Sequence, residues 1–522
     1  MRITNRGSTE ARWRPLVAVV LATVLMLTAC NPSGDRSTGT APLDGAGAQG
    51  PDATSAAIPP GAEEIYAQDV SWAPCDDGFE CAKVAVPLDW SDPAGKSIEL
   101  AVIRTVPESV SKGTIWLNPG GPGGSGIEMV RDSLSYVATE DLLANYSIAG
   151  FDPRGVGASS AVDCLSDADR DKMRESTANP ETDEGLEQMR AQYKKFAEAC
   201  EANTGELLGH VDTQSAARDL DVLREVSGDT RLNYLGFSYG TFLGSTYATL
   251  FPEKVGRLVL DGALDPSLSN AELALGQAKG FEGALRAYIE DCQSREGCPL
   301  GGDVDDGVKK VQSLFDTVES APMTASDGRK VGLPLLLSGF ILPLYNDQNW
   351  PLLGEALAQA FDGSPDEFLR LADLGADREP DGTYSGNGDE AFNAINCLDY
   401  PTNSETDTMR AEAEELKDAA PTFGVALGYG GAVCESWPYQ PVRTPEPANA
   451  PGAEPILVVG TTGDPATPYE WSEALTEQLE SSTLLTYEGE GHTAYGRAGA
   501  CINSKVDAYF IEGKLPAAGT RC

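Results

Sequence analysis

Residues 233–244 read NYLGFSYGTFLG, in which Ser238 lies between Gly236 and Gly240. An apolar run precedes the serine and a helical pattern follows it, so the stretch predicts a strand, a sharp turn and a helix. The glycine-x-serine-x-glycine pattern alone is weak evidence in a chain with 56 glycines. Its setting makes Ser238 a candidate nucleophile, because such a turn lifts the hydroxyl above the sheet.

Five further stretches resemble the one before the serine, since each pairs a short apolar run with a glycine-rich or acidic loop. They are GTIWLNPGGPGGSG (113–126), NYSIAGFDPRGVG (145–157), GRLVLDGALDP (256–266), EPILVVGTTGDPATP (454–468) and STLLTYEGEGHTAYG (482–496). Uninterrupted apolar runs of this length are typical of parallel strands that are buried on both faces. DTQSAARDLDVLREVSG (212–228) has helical spacing, and CAKVAVPLDW with SIELAVIRTV predicts an antiparallel hairpin. We therefore predict an α/β fold with a mostly parallel sheet flanked by helices.

The chain divides into five predicted segments. Four arginines precede an uncharged run that ends in Leu-Thr-Ala-Cys, a pattern that predicts a bacterial lipoprotein signal peptide over 1–30 with lipid on Cys30. Simple secretion after cleavage near this point is the alternative. Residues 31–64 are rich in small and polar residues and predict a flexible linker. The sheet-forming core is expected over 65–265 and 451–522, with a mainly helical cap inserted at 266–450.

Cysteine content agrees with export. If Cys30 carries lipid, ten of the 11 cysteines remain, an even number suited to disulfides in an oxidising compartment. Their spacing suggests sequential pairs, although sequence alone does not fix the connectivity. The suggested pairs are Cys75 with Cys81, Cys164 with Cys200, Cys292 with Cys298, Cys397 with Cys434, and Cys501 with Cys522.

The net charge and the small number of histidines exclude some classes of function. The net charge of −42 disfavours binding to nucleic acid or to an anionic membrane surface, so membrane contact is expected only through the lipid. The chain has two histidines and no Cys-x-x-Cys pattern, which disfavours zinc. We expect neither a metal nor a cofactor.

A serine nucleophile needs a base, and the two histidines are the candidates. His492 follows the last predicted strand, whereas His210 precedes a surface-type helix and is expected to be structural. The acid that orients the base is predicted to be Asp464, at the end of the preceding strand, with Asp261 and Asp265 as rivals. The resulting chain order of serine, aspartate and histidine is that of an α/β-hydrolase.

Two backbone N–H groups are predicted to stabilise an oxyanion: that of Tyr239 at the helix start and that of Gly121 in the early loop LNPGGPGGSG. The same loop also matches a dinucleotide fingerprint through Gly121, Gly123 and Gly126, with Asp141 at a plausible distance for a ribose contact. The proline inside the loop and the predicted export both argue against that alternative.

The combination of NPGGPGGSG, FDPRGVGASS, GFSYGTFLG, LVLDGALDP, VVGTTGDPATP and GHTAY resembles the actinobacterial tripeptidyl aminopeptidases and the related mycobacterial cell-envelope serine hydrolases known as carboxylesterase A. The similarity runs from about Ile65 to Cys522. It implies an α/β-hydrolase with a helical lid that attacks peptides near a free N-terminus without a cofactor. It places the nucleophile at Ser238, the acid at Asp464 and the base at His492.

We therefore predict an exported serine aminopeptidase that releases short, tripeptide-type segments from peptides or proteins through an acyl-enzyme. A carboxylesterase or lipase with the same triad is the alternative, and a non-catalytic binding protein on this fold is a third possibility. Asp399 in CLDY and Glu435 in CESWP are candidate acceptors for the substrate amine. The expected location is the cell envelope, with a lipid anchor on the outer face of the cytoplasmic membrane, or the medium. The oligomeric state stays open.

Overall fold

The structure is a computed structural model, and it describes residues 58–76, 78–106 and 111–522. The predicted signal peptide, Cys30 and residues 31–57 of the predicted linker lie outside the described residues. Ala62 is already fully buried in the core, so the folded part begins before the predicted boundary at Ile65.

The strands form one nine-stranded sheet and one two-stranded ribbon. They are β1 Ala73–Pro74, β2 Phe79–Pro87, β3 Ser97–Thr105, β4 Thr114–Asn118, β5 Ser147–Phe151, β6 Leu232–Phe237, β7 Val255–Asp261, β8 Met323–Thr324, β9 Lys330–Val331, β10 Ile456–Gly463 and β11 Ser482–Glu490. The large sheet has the order β1-β2-β3-β5-β4-β6-β7-β10-β11, and β8 pairs with β9.

All contacts from β5 across to β11 are parallel, whereas β1, β2 and β3 are joined to the sheet by antiparallel pairs. Each of the six quoted apolar runs forms one of the parallel strands, and the predicted hairpin is β2 with β3. The register sets Asn118 opposite Gly236, and Asp261 opposite both Phe237 and Val459. The loops after these strands therefore leave from one edge of the sheet.

Helices connect the strands and form most of the segment between β7 and β10. They are α1 Glu63–Tyr66, α2 Gly126–Val137, α3 Glu140–Asn145, α4 Asp167–Arg174, α5 Asp183–Thr204, α6 Thr213–Val226, α7 Tyr239–Leu250, α8 Asn270–Gln293, α9 Val304–Ser320, α10 Leu333–Leu344, α11 Trp350–Phe361, α12 Asp366–Gly375, α13 Gly388–Asp399, α14 Thr406–Ala419, α15 Gly424–Leu427, α16 Gly431–Cys434, α17 Tyr469–Gln478 and α18 Ala500–Glu512. Short 3₁₀ helices occur at Gly205–Gly209, Pro252–Lys254 and Asp347–Asn349.

The central strands are buried on both faces. All five residues of β4 are buried, and alternate side chains enter different cores: Trp116 packs into one cluster, and Ile115 and Leu117 into another. Side chains alternate between the two faces of a strand, so a strand covered on both faces is apolar at consecutive positions, here Ile115, Trp116 and Leu117. This requirement explains why short apolar runs in the sequence predicted the strands.

The segment between β7 and β10 has an apolar core of its own, built around Phe281, Phe315, Phe340 and Phe368. This segment, α8–α16 with β8 and β9, is the observed counterpart of the predicted cap. It is not wholly separate from the core, because Cys397 of α13 belongs to the main cluster. The pair α4 and α5, between β5 and β6, was not assigned from the sequence. Both helices contact the cap, for example through an ion pair between Arg174 and Asp373.

The five disulfides confirm the sequential pairing suggested by the spacing. The bond between Cys164 and Cys200 joins the loop after β5 to α5, and the bond between Cys397 and Cys434 joins α13 to α16. In the part of the chain that the structure covers, we find no helix that is both long and apolar enough to cross a bilayer.

Candidate active site

Ser238 lies in a sharp turn between β6 and α7. Its φ of 55° is in the left-handed region, and its N–H donates to the Asp261 carbonyl at 2.9 Å. A Cβ on Gly236 would lie 2.3 Å from the Gly240 carbonyl oxygen, and a Cβ on Gly240 would lie 2.8 Å from the Asn118 carbonyl oxygen. Larger side chains would therefore clash at both glycines, which explains the glycine-x-serine-x-glycine pattern physically.

The loop after β4 packs directly against this turn. A Cβ on Gly120 would lie 2.9 Å from Ser238 Cβ and 3.1 Å from the Tyr239 nitrogen. The buried Asn118 side chain accepts the Gly120 N–H at 3.0 Å. Among the described residues, the Tyr239 and Gly121 N–H groups have no hydrogen-bond acceptor. The two predicted oxyanion donors thus belong to segments in contact beside Ser238.

Asp464 contacts the imidazole of His492. Both carboxylate oxygens lie 2.9 Å from Nδ1. The carboxylate is buried, and it accepts N–H groups from Ala466, Thr467 and Thr493 at 2.9, 2.8 and 3.2 Å. These donors hold the negative charge in place without a cation, so the charge is available to orient an imidazole and to stabilise its protonated form.

His492 is held from the cap as well as from the core. Its backbone N–H donates to the Tyr345 carbonyl at 2.7 Å, and the Tyr345 ring packs edge-on to the imidazole with centroids 5.4 Å apart. The Thr467 hydroxyl lies 3.3 Å from Nδ1 and 3.0 Å from Asp464. Because Nδ1 faces the carboxylate, Nε2 is the nitrogen left to exchange a proton with a reacting group.

The rival carboxylates do not contact the imidazole. Asp261 accepts the backbone N–H groups of Ala494 and Tyr495, and burial raises its pKa to about 6. It therefore anchors the loop that carries His492. Asp265 accepts hydrogen bonds from Ser267 and Gln478. The backbone carbonyl of His210 accepts from Arg154, so this region of His210 is part of a structural contact.

Asp399 is buried, although its sequence motif predicted that it would be accessible to the substrate amine. Its carboxylate is fully buried and accepts both the N–H and the hydroxyl of Thr213, whose oxygen in turn accepts from the Tyr239 hydroxyl. Burial is the main cause that raises its pKa to about 7, and nearby Asp212 adds to the effect. This corrects the expectation of an amine acceptor, because the carboxylate is fully buried and each of its oxygens already accepts a hydrogen bond from Thr213. Asp399 instead ties α13 to the residue after Ser238.

Glu435, the second expected amine acceptor, lies just after α16 and forms an ion pair with Arg190 of α5 at 3.2 Å. Its side chain is about one third exposed, at 33%. The ion pair joins α5 to the residue that directly follows Cys434, which forms a disulfide with Cys397. The carboxylate thus already has a cationic partner.

Sequence reasoning missed three residues that contact the site. Thr467 follows Asp464 by three positions, the spacing at which an aspartate commonly accepts a nearby backbone N–H, so the motif contained a usable signal. Gly120 lay in the quoted loop but was not distinguished from its neighbours. Tyr345 had no detectable signal, because only the folding of the cap brings it to His492.

A mostly parallel sheet with a serine in the turn after one strand, and an aspartate and a histidine after the last two, defines the α/β-hydrolase class of serine hydrolases. Comparison with known proteins identifies the family. Residues 420–522 match a family described as "TAP-like protein". The chain is 38% identical over 485 residues to "Serine protease Hip1" of Mycobacterium tuberculosis, a match that covers 88% of this chain and 92% of the relative.

Two other relatives match most of the chain. "Carboxylesterase B" of M. tuberculosis is 36% identical over 526 residues, covering 98% of this chain and 99% of the relative. "Tripeptidyl aminopeptidase" of Streptomyces lividans is 31% identical over 451 residues, covering 85% and 83%. The chain therefore belongs to this family of hydrolases. Its disulfides together with its kinship to Hip1 indicate an exported protein.

Proposed function

We propose that this protein is a serine aminopeptidase that releases short, tripeptide-type segments from peptide N-termini. The observation that carries the proposal is the contact of Asp464 with His492 Nδ1 at the sheet edge where Ser238 occupies its turn. In this proposal Ser238 is the nucleophile, His492 the base and Asp464 the residue that orients the base.

The chemistry follows from these positions. Ser238 Oγ attacks the scissile carbonyl carbon as its proton passes to His492 Nε2, and the carbonyl π electrons move onto oxygen. The N–H groups of Tyr239 and Gly121 donate to that oxyanion. When the carbonyl re-forms, the C–N bond breaks and His492 gives its proton to the leaving amine. Water then attacks the acyl-enzyme by the same route, releases the N-terminal fragment as a carboxylic acid and restores the serine.

Preference for peptides over esters is supported by two of the relatives, which are named as a serine protease and a tripeptidyl aminopeptidase. The net charge of −42 favours the approach of substrates that carry a free ammonium group. The relative named Carboxylesterase B, which matches nearly the whole chain, supports ester hydrolysis as the second candidate. The same triad serves both reactions, so the fold does not decide between them.

A matched pair of substrates tests the proposal. We expect a tripeptide p-nitroanilide with a free α-amine to be hydrolysed with a kcat/KM at least about tenfold above that of its N-acetylated form. Tenfold corresponds to about 1.4 kcal/mol of transition-state stabilisation by contacts with the free amine. Mass spectrometry of a longer peptide then counts the residues released. Equal rates for the two forms, or activity confined to short-chain p-nitrophenyl esters, would contradict the aminopeptidase proposal and favour the esterase.

We also propose that the mature chain is anchored to the outer face of the cytoplasmic membrane through lipid on Cys30. The support is the sequence pattern alone, an arginine-rich start and an uncharged run that ends in Leu-Thr-Ala-Cys. The wild-type protein should fractionate with membranes of the native host, and Cys30→Ala should be found in the soluble fraction or the medium. Membrane retention of Cys30→Ala would overturn anchoring at this residue.

A further inference from the structure

An apolar cavity that the triad does not use lies between the cap and the segment that holds α4 and α5. It has a volume of about 370 Å³ and lies between α5, α10 and the segment around α15. Its walls include Met189 and Tyr193 of α5, Leu337 and Ile341 of α10, and Val425 of α15. We call this space the cap cavity. Apolar clefts of this size with few polar groups are typical of ligand sites.

A second, separate space shares wall residues with the cap cavity and is lined by a residue close to the loop that carries the proposed oxyanion donor. It has a volume of about 240 Å³, shares Met173 and Tyr193 with the cap cavity and extends to Phe392. The Phe392 nitrogen would lie 3.2 Å from a Cβ on Gly123, which is in the loop after β4. The side chain of Phe392 is 45% exposed, although it is large and apolar.

Another wall of the cap cavity contains Ile341, which is close in sequence to a residue that contacts the candidate base. Ile341 lies in the last turn of α10, and Tyr345 is the residue that follows the helix, four positions further along the chain. Tyr345 packs against His492, and it is also exposed to solvent at 37%. The cap cavity thus ends about one helical turn before the residue that packs on His492, and the second space ends at a residue beside the loop after β4.

Glu319, at the C-terminal end of α9, is the single charged side chain among the described residues that line the cap cavity. It lies at the solvent-exposed rim. One carboxylate oxygen accepts the Asn179 amide at 2.9 Å, and the other has no hydrogen-bond donor in the part of the chain that is described. This carboxylate, which has Glu181, Asp316 and Lys417 as charged neighbours, lies at the end of an apolar wall and is complementary to an ammonium group that follows apolar side chains.

We propose that the cap cavity binds the acyl-side residues of the peptide substrate and that Glu319 receives the α-ammonium group. The inference rests on the proposed aminopeptidase function and names its substrate class: peptides with apolar side chains in their first residues and a free N-terminus.

The dimensions agree with a short acyl segment. Along α10, Ile341 lies about 6 Å and Pro334 about 17 Å from Tyr345 at 1.5 Å per residue. Three residues of an extended peptide span about 10 Å. A three-residue segment that begins beside Tyr345 would therefore end along the stretch of α10 between Ile341 and Pro334, which lines the cap cavity. Longer N-terminal extensions would have to leave past the rim.

The first test removes the charge at the rim. We expect Glu319→Gln to raise KM for the free-amine tripeptide p-nitroanilide about twofold to fivefold, the range expected for an exposed ion pair. KM for the N-acetylated substrate and kcat for both should stay unchanged. The matched control is Glu187→Gln, the same change at an exposed position of α5 outside the cavity wall.

The pH dependence of this effect has a definite sign. Burial is the main cause that raises the pKa of Glu319, neighbouring Glu181 and Asp316 add to it, and Lys417 opposes it. The carboxylate must be ionised to bind an ammonium group. The free-amine preference of the wild type should therefore weaken as pH falls, and it should do so at a higher pH than for an ordinary glutamate. Glu319→Gln should lose this dependence.

The second test fills the cavity from its rim. Ser338 is an exposed rim residue of α10, so Ser338→Trp adds volume at the opening without disturbing the buried core. We expect KM for the tripeptide substrate to rise at least fivefold, while hydrolysis of p-nitrophenyl acetate, which has no side chains to place there, is unchanged. Ser338→Ala is the control for loss of the hydroxyl.

The outcomes separate this inference from the proposed function. If the wild type hydrolyses free and acetylated substrates equally, the aminopeptidase proposal fails and the role of Glu319 fails with it. If the wild type prefers the free amine but Glu319→Gln keeps the full preference, only the role of Glu319 is overturned. If Ser338→Trp leaves KM for the tripeptide unchanged, the cap cavity does not hold the acyl segment.

Discussion

Ser238→Ala is expected to lower kcat for peptide hydrolysis by roughly 10⁶-fold, or about 8 kcal/mol of transition-state stabilisation, the loss found when a triad serine is removed from an unrelated protease. The change removes one oxygen and adds no atom at a residue whose φ is 55°, so we expect the turn to stay in place. Without Oγ no acyl-enzyme can form, and residual activity would come from binding and the oxyanion donors. Steady-state kinetics measures the loss, and a fluorophosphonate probe reports the nucleophile directly.

The matched control for this variant is Ser245→Ala. Ser245 lies on α7, two turns after Ser238, and its buried hydroxyl donates only to the Phe242 carbonyl of the same helix. It should keep both peptide hydrolysis and fluorophosphonate labelling. Labelling of Ser238→Ala at the wild-type rate would show that another residue is the nucleophile, and the proposed mechanism would then be wrong.

The sheet was predictable because its physical requirement is local. Strands such as β4 (TIWLN) and β5 (SIAGF), buried on both faces, have consecutive apolar residues at their centres, and these short runs are visible in the sequence. The turn at Ser238 was predictable for the same reason, since glycines two positions away on either side are required by contacts within or next to the turn. The five disulfides could be paired because each joins cysteines that are neighbours in the chain.

Features that depend on packing between distant segments could not be predicted. The sequence of α5 does not reveal that this helix contacts the cap. Its ion pair, for example, joins Arg190 to Glu435, more than 200 residues further along the chain. Asp399 was misjudged because a sequence pattern shows an acidic residue but not its burial. Its environment is set by Thr213 and Tyr239 on two other helices.

The candidate triad could be predicted only in part. Asp464 and His492 were chosen because they follow the last two strands, and parallel strands bring their carboxyl ends to one edge. The sequence could not show that three backbone N–H groups converge on Asp464, or that Tyr345 holds His492 from the cap. Strand order thus brings the groups together, whereas their final orientation depends on tertiary contacts.

Asp464→Asn is expected to lower kcat about 10⁴-fold with little change in KM, the loss found when the triad aspartate is replaced by asparagine in a comparable protease. An asparagine amide facing Nδ1 of His492 can donate a proton where the carboxylate only accepts. It would favour the tautomer with the proton on Nε2, and that nitrogen could then no longer take the proton from Ser238. The imidazolium formed in the reaction would also lose its negative partner. Kinetics and thermal unfolding together separate this effect from a loss of structure.

Asp265→Asn provides the matched control, because it makes the same chemical change at the rival carboxylate. Asp265 is bonded to Ser267 and Gln478 and has no contact with His492, so we expect activity within about threefold of wild type. If Asp265→Asn were inactive while Asp464→Asn retained activity, the acid would have to be reassigned. Both oxygens of Asp464 lie 2.9 Å from Nδ1. In either orientation the asparagine therefore places an N–H donor beside that nitrogen, together with a carbonyl oxygen that carries no charge.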